Sequence, residues 1–156
     1  MVYPYRQGVN AFVIDNDTNF LLVQKVNYGK NQWEIPGGGI EENEDPKSGI
    51  LRGLKEELGS TSFEIIKESP FKNKFEWPKE VQERGFAKHG KWWQGQEKHQ
   101  FIIRFTGNKS EIIKQDEELR EVKWVPVSKL KEHFVFEGQW ENAKTVLRDF
   151  GLKSFK

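Results

Sequence analysis

The stretch that most limits what this chain can become runs from Asp45 to Gly59, DPKSGILRGLKEELG. It opens with a helix start. An acidic side chain, Asp45 or Glu44, can cap free backbone N–H groups, and Pro46 fits the first helical position without losing a needed donor. Gly59 supplies a left-handed stop. At about 100° per residue, Ile50, Leu51, Leu54 and Leu58 fall on one side as a core-facing stripe. Gly49, Arg52, Gly53, Glu56 and Glu57 fall on the opposite arc. A helix with one apolar side needs a second layer to cover it.

The rest of the chain offers that layer as strands. Gly8 to Asp15 (GVNAFVID) and Phe20 to Val26 (FLLVQKV) are short apolar runs on either side of Asp15-Asn16-Asp17, which reads as a β-hairpin. That acidic turn lacks the glycine and closing glutamate of a calcium loop. Trp33 to Pro36 reads as an extended segment running into a tight turn at Gly37-Gly38-Gly39. Ser62 to Lys67, Lys98 to Phe105 and Val122 to Val125 read as further strands, and Val127 to His133 as a short helix. Gln139 to Phe150 carries Trp140, Ala143, Val146, Leu147 and Phe150 at helical spacing, a core-packing stripe. Strands and helices mix, which predicts an α/β or α+β layered domain with a mixed sheet.

Composition narrows the class. The 156 residues fit one domain able to bury a core, and the 12 Phe and 6 Trp compensate for a chain only 35% hydrophobic. A net charge of +1 announces neither nucleic acid nor membrane through a global field. The absence of cysteine excludes disulfides, thiol catalysis and Cys-based zinc sites. No signal-peptide layout or membrane-length apolar run is present. The expectation is a cytoplasmic enzyme or binding module with no membrane contact. His89, His99 and His133 match no zinc spacing.

Glu56 and Glu57 are the electrostatic anomaly. Adjacent carboxylates repel each other, and they sit near the negative end of the helix dipole. A hard cation such as Mg²⁺ would reverse that penalty, because it takes oxygen ligands. An ordinary solvated acidic helix is the alternative. Arg52, one turn earlier, can pair with Glu56 or reach back to Glu44.

The surrounding spacing is similar to the Nudix box, G-x5-E-x7-R-E-U-x-E-E-x-G-U, where U is bulky and aliphatic. Gly38, Glu44, Arg52, Leu54, Glu56, Glu57 and Gly59 match, seven of the nine specified positions. The chain therefore resembles a Nudix hydrolase, which implies an α/β/α sandwich and hydrolysis of a nucleoside diphosphate linked to another moiety, with Mg²⁺ or Mn²⁺. The resemblance implies Glu56 and Glu57 as cation ligands and catalytic groups. It makes Gly38 part of a turn whose backbone can approach metal and phosphate, and Glu44 with Arg52 a structural pair. Gly59 ends the helix.

A further resemblance is to the branch of bacterial RNA pyrophosphohydrolases and asymmetric dinucleoside tetraphosphate hydrolases. It rests on Tyr5-Arg6 before the first strand, a basic and aromatic insertion after the helix, Gly95-Gln96 before a strand, and DEELREVKWVP. In that alignment Glu118 matches a distal carboxylate joining the metal site. Arg6, Lys25, Gln96 and Lys98 are the candidate substrate contacts. The expected partners are a dinucleoside polyphosphate or the 5′ end of RNA. The insertion, FKNKFEWPKEVQERGFAKHGKWW, has two open readings: a surface loop with tucked aromatics, or a surface that holds RNA by charge and stacking.

Three departures bear on activity. Gly53 stands where the box has glutamate, Ser60 where it has an aliphatic residue, and Gly37 where the RNA-directed branch has Gln. Glycine can neither bind a metal nor activate water, and it costs about 1 kcal/mol in a helix interior. Glu57 or Glu118 would then take the water-activating role. A slow enzyme, an enzyme clearing nucleoside triphosphates, and a non-hydrolytic binder of nucleotides or RNA ends are the alternatives.

Overall fold

The computed structural model describes residues 2–152. In chain order the elements are β1 (Tyr5–Ile14), β2 (Asn19–Lys25), β3 (Gly37–Gly39), α1 (Pro46–Leu58), β4 (Phe63–Glu68), β5 (Asn73–Glu76), α2 (Lys79–His89), β6 (Gly95–Phe105), β7 (Leu119–Pro126), α3 (Leu130–His133) and α4 (Gln139–Phe150). The sheet runs β4-β6-β1-β2-β7, with β3 added to β1 and β5 to β6. β1 and β6 are parallel along their shared length and the other pairs are antiparallel, so the sheet is mixed.

Both faces of the central strands are covered, which is why β1 and β6 read as near-continuous apolar runs. Val9, Ala11 and Val13 face α1, packing with Ile50, Leu54, Leu58, Phe101 and Ile103. Phe12 and Ile14 face α4, packing with Ile102, Ala143, Val146 and Leu147. Helices on either side of one sheet give the expected α/β/α sandwich. No helix among the described residues is long and apolar enough to cross a membrane.

The ends of α1 follow the local signals. Asp45 is the cap, accepting from the Ser48 N–H at 2.9 Å, and Pro46 is the first helical residue. Gly59 closes the helix at φ 70°, a conformation that strains any side-chain-bearing residue. The stripe is narrower than expected: Leu51 stays 38% exposed while Ile50, Leu54 and Leu58 are buried. Gly49 is buried rather than displayed, beneath Glu44.

The hairpin also differs from expectation. β1 and β2 pair only at Ile14 and Phe20, beside the turn, and then part. Residues 34–39 enter the gap. The Ala11 N–H donates to Pro36 O (2.9 Å) on one side, and Val23 and Glu34 exchange bonds (2.8 and 3.0 Å) on the other. Gly37 to Gly39 is accordingly a short strand on β1, not a turn. Gly37 is required for close approach, since a Cβ there would lie 2.4 Å from Val9 O.

The insertion folds. β5 pairs with the start of β6, and α2 stands outside the sheet with no buried residue. Gly95-Gln96 opens β6.

Candidate functional site

Part of the candidate set, Glu57, Glu118, Lys25 and Lys98, gathers around Glu34 in the segment that parts β1 from β2. Glu57 lies at the C-terminal end of α1, whose free carbonyls are taken up by a neighbouring loop. The Ile113 N–H donates to Leu58 O and the Gln115 N–H to Glu57 O, both at 2.9 Å. The same loop continues to Glu118, whose carbonyl accepts from the Val26 N–H at 2.9 Å. A segment distant in sequence thus brings Glu118 into the electrostatic neighbourhood of Glu57.

Burial first, and then the charges of Glu118 and Glu34, raise the Glu57 carboxyl to about 7; Lys25 and Lys98 pull the other way. Lys98 is pushed down from the ordinary lysine range by burial and by Lys25 and Arg6, against Glu34 and Glu57. Glu57, Glu118, Glu34, Lys25 and Lys98 therefore form one interacting set, in which carboxylates and ammonium groups alternate in influence.

Glu34 was absent from the residues singled out in the sequence. Its carboxylate accepts from the Tyr28 hydroxyl at 2.7 Å and lies 3.4 Å from Lys25 Nζ. The available signal was a lone carboxylate between Trp33 and Ile35 in an extended segment. Alternation puts it opposite the buried Trp33.

Glu56 takes another direction. It is exposed, and Arg52 Nη1 donates to it at 3.0 Å. The expected Arg52–Glu44 pair forms as a two-bond fork, Nε to Oε2 at 2.7 Å and Nη2 to Oε1 at 3.0 Å. Arg52 Nη2 also donates to Gly39 O at 3.0 Å, tying β3 to α1. The guanidinium beside Glu44 is the main cause holding that carboxyl below its ordinary range. Gly53 faces open space: a Cβ there meets nothing within 4 Å. Ser60 is explained by its surroundings, since the buried hydroxyl donates to Glu111 Oε2 at 3.2 Å.

Among the described residues, no three His, Asp or Glu side chains form a ready-made metal cluster. Glu57 and Glu118 are oxygen donors of the kind a hard divalent cation takes, and Gly38 pairs with Val9 on β1. Gly38 is open on its side-chain face. Burial first, and then the neighbouring carboxylates, penalise the charged form of Glu57, and such a cation would relieve that penalty.

Two cavities flank this set. The first, about 460 Å³, is walled by Tyr28, Phe75, Phe134 and Phe136, with Glu34 and Lys98 among its polar lining. Tyr28 and Phe136 meet edge to face at 5.2 Å. Asn10 is 4% exposed and lines the same cavity, and its Oδ1 has no hydrogen-bond partner among the described residues. Asn142 in the wall is fixed by a reciprocal amide pair with Gln100, at 2.9 and 2.7 Å. The second cavity, about 740 Å³, lies between Arg6, His89, Lys91 and Trp93 on one side and the loop Glu41 to Glu44 on the other. Gln96 pairs in register with Arg6, but the Arg6 guanidinium turns to the Trp93 ring, 5.3 Å from its centroid. His99 lines this second cavity and lies 3.3 Å from Gln7 Oε1.

Comparison with known proteins accords with this geometry. The model of the NUDIX domain matches residues 4–150. An RNA pyrophosphohydrolase of Pelagibacter ubique (strain HTCC1062) is 34% identical over 155 residues, covering 98% of this chain and 88% of that protein. Nudix hydrolase 26, chloroplastic, of Arabidopsis thaliana is 33% identical over 108 residues, covering 69% of this chain and only 50% of its own length. In three dimensions, the E. coli dihydroneopterin triphosphate pyrophosphohydrolase aligns with a TM-score of 0.69 at 18% identity, covering 95% of this chain and 97% of that one. A C. elegans Ap4A hydrolase aligns with a TM-score of 0.64 at 15% identity, covering 92% and 94%. The shared sheet, the helix α1 with its Arg52–Glu44 brace, and a domain match running almost end to end make this chain a member of the Nudix family of phosphoanhydride hydrolases.

Proposed function

We propose that this chain removes pyrophosphate from the 5′-triphosphate end of RNA, with Mg²⁺ or Mn²⁺ held by Glu57, Glu118 and the backbone of Gly38. The observation that carries this reading is the aromatic-walled cavity that shares Glu34 and Lys98 with the Glu57 set. A base entering it finds ring faces at Tyr28, Phe75, Phe134 and Phe136. It also finds an unused acceptor at Asn10 Oδ1, suited to an exocyclic amino group. The relative with the name RNA pyrophosphohydrolase, aligned over nearly the whole chain, supports the same substrate.

The bound cation would neutralise phosphate oxygens and favour a hydroxide-like water. Lys98, Lys25 and Arg6 draw the polyphosphate toward the gap. Glu57 takes a proton from the attacking water as the new P–O bond forms. The anhydride P–O bond breaks and pyrophosphate leaves. Glu57 and Glu118 take over the water-activating task that Gly53 cannot perform. Glu56 acts through Arg52, holding the α1 end in place, and is available as a further oxygen ligand.

Gly37 favours a second reading, because the RNA-directed branch carries Gln there: hydrolysis of a dinucleoside polyphosphate or free nucleoside triphosphate by the same groups. Incubation with Mg²⁺ and a panel of triphosphorylated RNA, Ap4A, nucleoside triphosphates and ADP-ribose separates these outcomes. Release of pyrophosphate and monophosphorylated RNA is expected. Turnover confined to Ap4A or free nucleotides would replace the RNA reading. Binding of the whole panel without turnover would make the chain a non-hydrolytic reader of nucleotide ends.

A further inference from the structure

The folded insertion holds its lysines and arginine outside the ion pairs of the described residues. Each lysine or arginine found in an ion pair among the described residues lies outside residues 70–98. Arg84, Lys88 and Lys91 are exposed and, among the described residues, none has a carboxylate within 4.0 Å. Arg6, on the same side of the second cavity as Lys91, has no carboxylate within 4.0 Å among the described residues and contacts Trp93 instead. The opposite wall is largely neutralised, since Glu44 and Glu41 lie 2.7 and 3.7 Å from Arg52 nitrogens. Glu42 is the remaining carboxylate of that wall.

These cations stand on a braced platform. Gln82 Nε2 donates to Trp77 O (2.9 Å) and Gln94 O (3.0 Å), and its Oε1 accepts from Trp92 Nε1 (3.2 Å). Aromatic rings line the same element. Tyr3, Trp92 and Phe86 form a tilted series with centroids 5.7 and 5.8 Å apart, and Phe86 is 50% exposed. The cavity leads to the box, because Arg6 lies against Gly39 and Gly39 O is bonded to Arg52.

We propose that α2, its flanking segments and Arg6 form a track for single-stranded RNA downstream of the 5′ end processed in the gap. The track extends the substrate reading given above and rests on it. Unpaired cations follow a phosphodiester backbone, and exposed rings stack unpaired bases, a combination that a duplex cannot use because its bases are already stacked.

The test measures binding rather than turnover, so that it stands apart from the reaction. Fluorescence anisotropy with a 5′-monophosphorylated single-stranded 12-mer, the matching dinucleotide and a 12-base-pair duplex is expected to rank the single strand at least tenfold tighter than either of the others. The double variant Lys88→Ala/Lys91→Ala loses about tenfold for the 12-mer, and its log–log salt slope falls by about 1.4, two contacts at about 0.7 each. Phe86→Ala weakens the 12-mer at every salt concentration and leaves the slope unchanged. Melting temperatures confirm that the variants are folded. Equal affinity for the 12-mer and dinucleotide, duplex binding as tight as single strand, or an unaltered double variant overturns the track. Absence of pyrophosphate release from a triphosphorylated dinucleotide, with 12-mer binding intact, overturns the reaction and leaves the track standing.

Discussion

Arg52 holds Glu44 through both carboxylate oxygens, at 2.7 and 3.0 Å, while its remaining arm takes Glu56. Both partners of the fork are mostly shielded, with side-chain exposures of 27% and 15%. Arg52→Ala is expected to cost about 2 kcal/mol of unfolding free energy, the range for hydrogen bonds to charged groups. Arg52→Lys recovers less than half, because an ammonium cannot reproduce the planar fork. Urea unfolding of the two variants against wild type checks this; equal stability of Lys and Arg at this position would remove the fork argument.

Gly53→Glu is expected to increase hydrolysis, by up to about 10²-fold, the lower end of what a positioned base contributes. The space is there, since a Cβ at 53 meets nothing within 4 Å. Gly53→Ala is the control: it gains about 1 kcal/mol from helix propensity and leaves kcat where it was. Steady-state kinetics and melting curves on both variants separate chemistry from stability. A Gly53→Glu protein that is folded and no faster would show that position 53 does not address the reacting water.

Glu57 ties stability to pH in a direction opposite to most carboxylates. Burial and like charge lift it from 4.5 to about 7, so the fold prefers its protonated form. Its contribution is complete below about pH 4.5 and is lost as pH rises through 7. In EDTA, Glu57→Gln should therefore melt above wild type at pH 8 and show no such advantage near pH 4.5. The same variant, and Glu56→Gln, are expected to lose Mg²⁺-dependent turnover by about 10²-fold or more. Glu44, held low by Arg52, runs the other way and weakens the protein as pH falls.

Gly37 and Gly38 should separate cleanly. A methyl at 37 would sit 2.4 Å from Val9 O, whereas one at 38 meets nothing within 4 Å. Gly37→Ala is expected to destabilise by about 1–3 kcal/mol through forced backbone movement. Gly38→Ala should keep its melting temperature. Thermal unfolding of the pair decides it.

What could be read from sequence was whatever local chemistry controls. The ends of α1 were legible because Asp45, Pro46 and Gly59 act on their own backbone. The apolar runs of β1 and β6 were legible because burial on both faces leaves a continuous signature. α2 was not, since it buries no side chain and is braced by Gln82 and the indole of Trp92, contacts that leave no periodic trace. The parting of β1 and β2 depends on a segment arriving from farther along the chain, and no hairpin signal encodes it. Among the site residues, Glu57 stood out as half of a repelling pair and Glu118 came through family likeness. Glu34 had only alternation with Trp33 to mark it, and its place is fixed by pairing with Val23 on β2.

That wedge between β1 and β2 has a consequence for how such a protein can change over generations. Its position is set by main-chain bonds from Ala11 and Val23, which do not depend on the identity of the side chains around the cavity rim. The cavity walls come from elsewhere: Tyr28 from the loop after β2, Phe75 from the insertion, Phe134 and Phe136 from the approach to α4. Each contributor can be replaced independently without moving the candidate reacting groups. A lineage built on this frame can exchange one molecular diet for another by altering a few rim residues, while the machinery beneath is inherited intact.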